Sequence, residues 1–258
     1  MKKKILIALG VVLVLAVVAV VVVILFLGNI IKTGMETVGP KITQTSLKVD
    51  SVSVSLLGGS AGVKGLVLGN PEGYQSAQAI RVGTIAVSVA PSSLLANKIV
   101  IRSVEVRAAE ITFEGNPFGA NNLKKIMDNV NAMAGAPATN APVTGATQKP
   151  AKKLEVDDFL ITGAKVHVSL LTGLTAKEMT LPLPDIHLTN LGQDSGGITP
   201  AELTREVLGQ VTTATLKAVG DAVSDLGKGA ADAAKSTGKV VDEGVNKISK
   251  GIGGLFGK

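Results

Sequence analysis

Two segments of the chain, 98–114 and 153–169, share one pattern of alternating apolar and polar residues. Aligned without a gap, seven apolar positions coincide between them. Alternation of period two, rich in β-branched side chains, is typical of strands with one face against an apolar interior. The alternation slips by one residue at 107–108 and at the matching 162–163, and also five residues earlier in each copy. A slip would turn the apolar side chains to the wrong face, so we expect bulges that bend both strands.

The first half of this pattern occurs twice more, around 47–54 and 80–87. Four copies of one bent strand predict a strongly curved antiparallel sheet. The predicted fold is therefore α+β, with an N-terminal transmembrane helix, a curved antiparallel sheet, a short helix beside it and a long amphipathic C-terminal helix.

Residues 5–27 form an uncharged, almost wholly apolar run that follows Lys2, Lys3 and Lys4. A helix of this length reaches roughly 34 Å, enough to cross a hydrocarbon core of about 30 Å. A cleavable signal peptide is the alternative, but its apolar region is usually only about 7–15 residues long. The lysines predict a cytoplasmic tail at 1–4, with everything after the anchor exported.

The rest of the chain divides by composition. Residues 28–40 are predicted to form a stem, and 41–131 a first β part with a short helix. Residues 132–152 have almost no large apolar side chains and predict a flexible linker, and 153–192 would complete the sheet. The face of the short helix is expected to carry Leu123, Ile126, Met127 and Val130.

An amphipathic helical region is predicted at 199–256. Thr199 and Pro200 match the preferred cap and first helical position, and apolar residues then recur every three or four positions. Its interior glycines each cost about 1 kcal/mol relative to Ala, so the helix needs an apolar partner. We expect it to act as a removable cover over the apolar face of the sheet, with Val223 and Val245 on its inner side.

Composition excludes several classes of function. The chain has no Cys, so it holds no disulfide and no Cys-based zinc site. A net charge of +6 with 2% aromatic residues gives no basis for nucleic-acid binding. The two histidines, His167 and His187, lie at alternating strand positions, and the neighbouring Asp157 and Asp158 would point to opposite faces. We therefore predict no enzyme, no catalytic or metal site and no cofactor.

Four segments, VSVSLLGGSAGVKGLVLGNPEGY, KLEVDDFLITGAKVHVS, TLPLPDIHLTNLG and SGGITPAEL, resemble short members of the bacterial AsmA-like family. The resemblance covers Lys41 to about Leu208. It implies an inner-membrane anchor and a periplasmic β-groove with an apolar lining, associated with phospholipid movement or outer-membrane upkeep. The groove would be lined by Val52, Val54, Ile85, Val87, Val104, Val106, Phe159, Ile161, Val166 and Val168.

The chain is much shorter than the large members of that family. Seven strands at about 4.8 Å each cover roughly 34 Å, too little to bridge two membranes. The predicted function is a single-pass, membrane-anchored periplasmic protein of lipid binding, lipid transport or envelope maintenance. Its expected partners are the membrane and phospholipid or acyl chains, with any protein partner unassigned. The alternative is a structural or stress-related envelope protein whose C-terminal helix binds a partner or a membrane surface, since that helix also resembles repeats of late-embryogenesis-abundant proteins.

Overall fold

The computed structural model describes residues 12, 15, 26–56, 58–135, 152–172 and 175–253, without the side chains of 169–178 and of most residues after 225. Helix α1 occupies 26–43, α2 occupies Asn122–Ala134 and α3 occupies Pro200–Gly253, with a 3-10 turn at Pro91–Leu95. The strands are β1 (Leu47–Lys48), β2 (Ser51–Ser55), β3 (Ser60–Gly69), β4 (Gln78–Val89), β5 (Lys98–Arg107), β6 (Glu110–Glu114), β7 (Lys153–Thr162), β8 (Lys165–Thr172), β9 (Thr175–Pro182) and β10 (Ile186–Leu191).

All ten strands belong to one sheet that curls into a half-barrel. Consecutive strands form long bent strands: β5 and β6 lie along β4, β7 and β8 lie outside them, and β10 and β9 form the edge. On the other side of β4 lies β3, which pairs with β1 and β2. Pro182 and Pro184 fall at the β9–β10 edge, where missing backbone donors are tolerated, as their spacing predicts.

The prediction of a purely antiparallel sheet is wrong. The repeated segments pair with each other in parallel, β5 with β7 and β6 with β8. Their register is the gapless sequence alignment itself, with Lys98 opposite Lys153 and Glu114 opposite Ser169. The reason is the connection: a parallel pair needs a long crossover, and α2 with the segment after it supplies one.

A line of bends crosses the sheet at one level. Gly65, Ala108 and Gly163 have φ values of 63°, 51° and 62°, in the left-handed region. The Ala108 N–H donates to the Thr162 carbonyl at 2.9 Å, and the Lys165 N–H donates to the Ala109 carbonyl at 2.8 Å. Ladder bonds thus continue through the bend. The slips predicted at 107–108 and 162–163 fall at two of these positions.

The concave face of the sheet is apolar from edge to edge. Residues paired across neighbouring strands point to the same face, so pairing defines rows that run across the sheet. One row consists of Val52, Val63, Ile85, Val106, Ile161 and Ile186, a second of Val54, Ala61, Val87, Val104, Phe159 and Leu188, and a third of Leu47, Leu68, Ile80, Ile111, Val166 and Leu181.

The helices pack inside this curve. Helix α3 begins with a capping box: the Glu202 N–H donates to the Thr199 hydroxyl at 3.2 Å, and the Thr199 N–H donates to the Glu202 carboxylate at 2.7 Å. Its first six turns lie against the apolar rows, with Val211 and Val219 buried. Helix α2 buries Ile126 in a second cluster with side chains of α1, of β3 and β4, and of the start of α3.

Within the described residues, no helix is both long and apolar enough to cross a bilayer. The predicted anchor at 5–27 lies almost entirely outside those residues, as does most of the predicted linker. The predicted stem at 28–40 is the greater part of α1, which continues to 43, so the first strand begins at Leu47 and not at Lys41.

Asn122 joins three parts of the chain at the start of α2 and is fully buried. Its amide donates to the Asn70 side chain at 2.8 Å and to the Thr112 carbonyl at 2.7 Å, and it accepts from the Glu114 N–H at 3.0 Å. Loss of the amide leaves buried groups unpaired. We expect Asn122→Ala to lower the free energy of unfolding by about 2–3 kcal/mol, measured by urea denaturation.

The matched control for this variant is Asn131→Ala, at an exposed position on the same helix. It should change stability by no more than about 0.5 kcal/mol. Equal urea midpoints for the two variants would contradict the joining role of Asn122.

Candidate functional site

An apolar cavity of about 540 Å³ lies between the concave face of the sheet, α1 and the beginning of α3. The sheet forms its floor and the two helices form its walls. The floor consists of Leu47, Leu66, Leu68, Ile80, Val82, Ile85, Val106, Ala109, Ile111, Phe159, Ile161, Ala164, Leu183 and Ile186. The walls are Gly34, Met35, Val38, Gly39, Ile42 and Thr43 of α1, and Pro200, Leu203, Thr204, Val207, Leu208 and Val211 of α3.

The cavity lies over the line of bends. Ala109 and Ala164, both buried, form the floor directly after the left-handed residues Ala108 and Gly163. Larger side chains surround them on the neighbouring rows. The two alanines fill little of the space between the sheet and the helices.

The lining carries almost no polar groups. Among the described lining residues none is charged, and only Thr43 and Thr204 bear hydroxyls. Both hydroxyls are already occupied: that of Thr43 donates to the Gly39 carbonyl at 3.0 Å, and that of Thr204 donates to the Pro200 carbonyl at 2.8 Å. The cavity therefore offers an apolar ligand shape and volume, and gives a polar head group at most the two hydroxyl oxygens as acceptors.

Helix α1 contacts the edge of the sheet through its polar side. The Lys32 ammonium donates to the Asp50 carbonyl at 3.1 Å, and the Glu36 carboxylate accepts from the Val49 N–H at 2.9 Å. Gly28 allows the close approach, because a Cβ there would lie 2.2 Å from the Val52 carbonyl oxygen. These contacts satisfy backbone groups at the β1–β2 break and leave the apolar side of the helix free to form a wall.

The mouth of the cavity opens between α1 and the start of α3. Gly34 and Val38 of α1 and Pro200 of α3 are lining residues that are also exposed to solvent. Beside them, the hydrogen bond from the Thr199 backbone holds the pKa of Glu202 below its ordinary value. The carboxylate at this position stays ionised, so one fixed negative charge stands near the mouth.

A second carboxylate with a lowered pKa, Glu114, lies at the end of β6. Burial acts to raise its pKa, but the backbone N–H groups of Gln75 and Ser76, at 2.6 and 2.9 Å, together lower it. Burial also raises the pKa of Tyr74. This group fastens the β3–β4 turn to the sheet and belongs to the fold, because neither side chain lines the cavity.

The ten predicted groove residues lie on the concave side of the sheet, and four of them line the cavity: Ile85, Val106, Phe159 and Ile161. Val104, Val166 and Val168 are buried in the adjoining core, and Val87 packs against that core. Val52 and Val54 lie on the outermost strand and are half-buried.

The alternation pattern missed the helical walls. The signal in α3 was present, since Leu203, Val207 and Val211 recur at steps of four. For α1 the corresponding signal was the series Ile30, Gly34 and Val38.

The two histidines lie away from the cavity. The His187 ring contacts the Asp158 carboxylate, and the His167 ring lies 3.1 Å from the Thr180 hydroxyl. Their strand neighbours point to the concave side, so both rings occupy the outer face. Among the described residues, no cluster of three His, Asp or Glu side chains could hold a metal ion. That the chain is not an enzyme stays a prediction.

Comparison with known proteins gives one match. The model of the AsmA family matches residues 1–178, more than two thirds of the chain. No curated protein and no solved structure matches the chain.

Filling the cavity should weaken the binding of apolar molecules without disturbing the sheet. Ala164→Leu places three extra carbon atoms in the cavity. Overlap of this size costs a ligand about 1–3 kcal/mol, so affinity for an apolar fluorescent dye should fall by roughly tenfold. Ala86→Leu, at an exposed position on the opposite face of β4, is the control and should bind as the wild type does. Equal dye affinity for both variants would place the dye elsewhere.

Proposed function

Because the chain belongs to the AsmA family, we propose that it is a membrane-anchored protein of the cell envelope that holds an acyl chain of a lipid in its cavity. The observation that carries this proposal is the cavity itself: a closed apolar floor, two apolar walls and no charged lining residue among those described. The family supports a role in the assembly or maintenance of the envelope. That the ligand is a lipid is our own proposal and goes beyond the family match.

The size of the cavity supports a single chain. Its volume of about 540 Å³ falls within the roughly 300–1,000 Å³ of small-molecule sites. At roughly 30 Å³ per water-sized group, it holds about 18 such groups, comparable with the carbon atoms of one long acyl chain. A lipid with two chains would leave its second chain outside.

The polarity of the cavity supports the same ligand. A buried polar head group without hydrogen bonds is costly, and the hydroxyls of Thr43 and Thr204 are already engaged. The head group would therefore stay at the mouth, near Pro200 and Glu202. Transfer of an acyl chain from water into the cavity is favourable, and the chain needs no hydrogen-bond partner there.

The packing and composition of α3 support the proposal that this helix is a cover which moves aside for a ligand. Its first turns supply half of the cavity wall, and Val223 packs against the sheet core as expected, whereas Val245 lies outside the described side chains. The interior glycines Gly209 and Gly220 lower its intrinsic helical stability. Movement of α3 away from the sheet would expose the apolar rows to water, which costs free energy. An acyl chain that takes the place of α3 on these rows would offset that cost. Under the structural or stress-related alternative, only the part of α3 beyond this packed region would be free to bind a partner or a membrane surface.

The segment 5–27 and the lysines before it support placement in the inner membrane with an exported body. Under this proposal α1 leaves the bilayer directly into the cavity wall, so the ligand site is held within one helix length of the membrane surface.

Native mass spectrometry of the full chain purified in mild detergent tests lipid binding. We expect one bound lipid on the wild type, retention in Ala86→Leu and loss in Ala164→Leu, because only the last fills the cavity. Equal lipid on all three proteins would mean that it binds around 5–27 and not in the cavity. Absence of lipid from the wild type would refute the proposal.

Reporter fusions after Lys41 test the topology. An alkaline phosphatase fusion should be active and a reporter that needs the cytoplasm should be silent, since the three lysines hold the N-terminus inside. Replacement of Lys2, Lys3 and Lys4 by Glu should reduce the phosphatase signal. Activity of the cytoplasmic reporter in the unaltered chain would show that the body of the protein is not exported.

A further inference from the structure

Helix α1 carries an exposed apolar stripe that leads into the cavity. Phe26, Ile30, Gly34 and Val38 follow one another at steps of four, and the three apolar side chains are 56%, 60% and 46% exposed. The last two members of the series, Gly34 and Val38, line the cavity mouth. We call these four residues the α1 stripe.

The orientation of α1 differs from that of an ordinary surface helix. Such a helix buries its apolar side and exposes its polar side. Here Lys32 and Glu36 contact the sheet edge, and the α1 stripe faces outward. A contiguous exposed apolar surface of this kind marks contact with an apolar partner.

Both ends of the stripe indicate which partner it has. Phe26 lies within the last two residues of the apolar run 5–27, whose length matches the thickness of a bilayer. Val38 lies at the cavity, and Ile42, the next residue in the series, is buried inside it. The stripe therefore joins a membrane-length segment to an apolar site.

We propose that the α1 stripe is the path by which a single acyl chain of a membrane lipid passes between the bilayer and the cavity. The inference rests on the proposed function and adds the route. A chain that follows the stripe keeps one side on apolar surface throughout, which lowers the barrier set by exposure to water. At Gly34 the path has no side chain, and no atom lies within 4 Å of where a Cβ would be.

A charge on the stripe tests the route separately from the site, because Ile30 does not line the cavity. The full chain is reconstituted in vesicles of phosphatidylethanolamine and phosphatidylglycerol that contain a pyrene-labelled fatty acid, and transfer of the fatty acid into the cavity is followed by fluorescence. Ile30→Asp should slow transfer by about tenfold, because the acyl chain must then pass a carboxylate. Its equilibrium occupancy should equal that of the wild type. Asn29→Asp, which places the same charge on the neighbouring exposed residue, should transfer at the wild-type rate.

A reversible plug gives a second test that leaves the fold intact. The chain has no Cys, so Gly34→Cys introduces a single thiol at the mouth. Reaction with benzyl methanethiosulfonate should stop transfer, and reduction of the mixed disulfide should restore it. Asn29→Cys treated in the same way should transfer fatty acid throughout.

Equal transfer rates for Ile30→Asp and Asn29→Asp, with occupancy retained, would overturn the route and leave the proposed function standing. A wild type that takes up no fatty acid even at equilibrium would overturn both. A change from dimer to monomer in Ile30→Asp with unaltered transfer would assign the stripe to contact between two copies of the chain, which also overturns the route.

Discussion

The shape of this protein depends on three residues that hold the left-handed conformation at one level of the sheet, Gly65, Ala108 and Gly163. Hydrogen bonds join neighbouring strands on both sides of the bend, so no strand can straighten while the others stay bent. For Ala108 this conformation costs about 1–2 kcal/mol, and the ladder around it must supply that energy. A Cβ on Gly65 would lie 1.8 Å from the Asp50 carboxylate, so that position strongly favours glycine. The curl of the sheet, and with it the cavity, follows from this shared bend.

The apolar face of the curled sheet must be shielded from water. Helices α1, α2 and α3 shield it, each through contacts of a different kind. Helix α2 is fixed by buried amides, since Asn121 caps it and Asn129 donates to the Thr43 carbonyl at 2.9 Å. Helix α3 rests on aliphatic contacts that have no directional bonds to break. Helix α1 touches the sheet through polar groups and presents its apolar side to the cavity and to solvent. Helix α2 is therefore held more firmly than α1 and α3, so we expect the cavity to open between α1 and α3.

Much of this arrangement could be predicted from local patterns, because alternation and capping depend on nearby residues. The slips predicted the bends at Ala108 and Gly163. The register of β5 with β7 coincides with the repeat alignment, although the repeat did not predict that its two copies would pair. The direction of that pairing could not be predicted, since the pattern of a strand is the same whether its neighbour is parallel or antiparallel. The cavity could not be predicted either, because it depends on small residues at Ala109 and Ala164 and on two helices far apart in the sequence.

The parallel pairing also sets an order of assembly. Partners in β3 and β4 are at most 28 residues apart, Ser60 to Ser88, whereas every β5–β7 partner is 55 residues away, as from Lys98 to Lys153. The longer loop costs about 0.6 kcal/mol more in closure entropy, and the crossover must be in place before any bond rewards it. We therefore expect the antiparallel part to close first, with the β5 edge at Val106 still open to water on the side that the second copy will extend. Until β7 and β8 pair, the apolar face of such a half-formed sheet would be exposed, and a slower last pairing would lengthen the time in which it can aggregate.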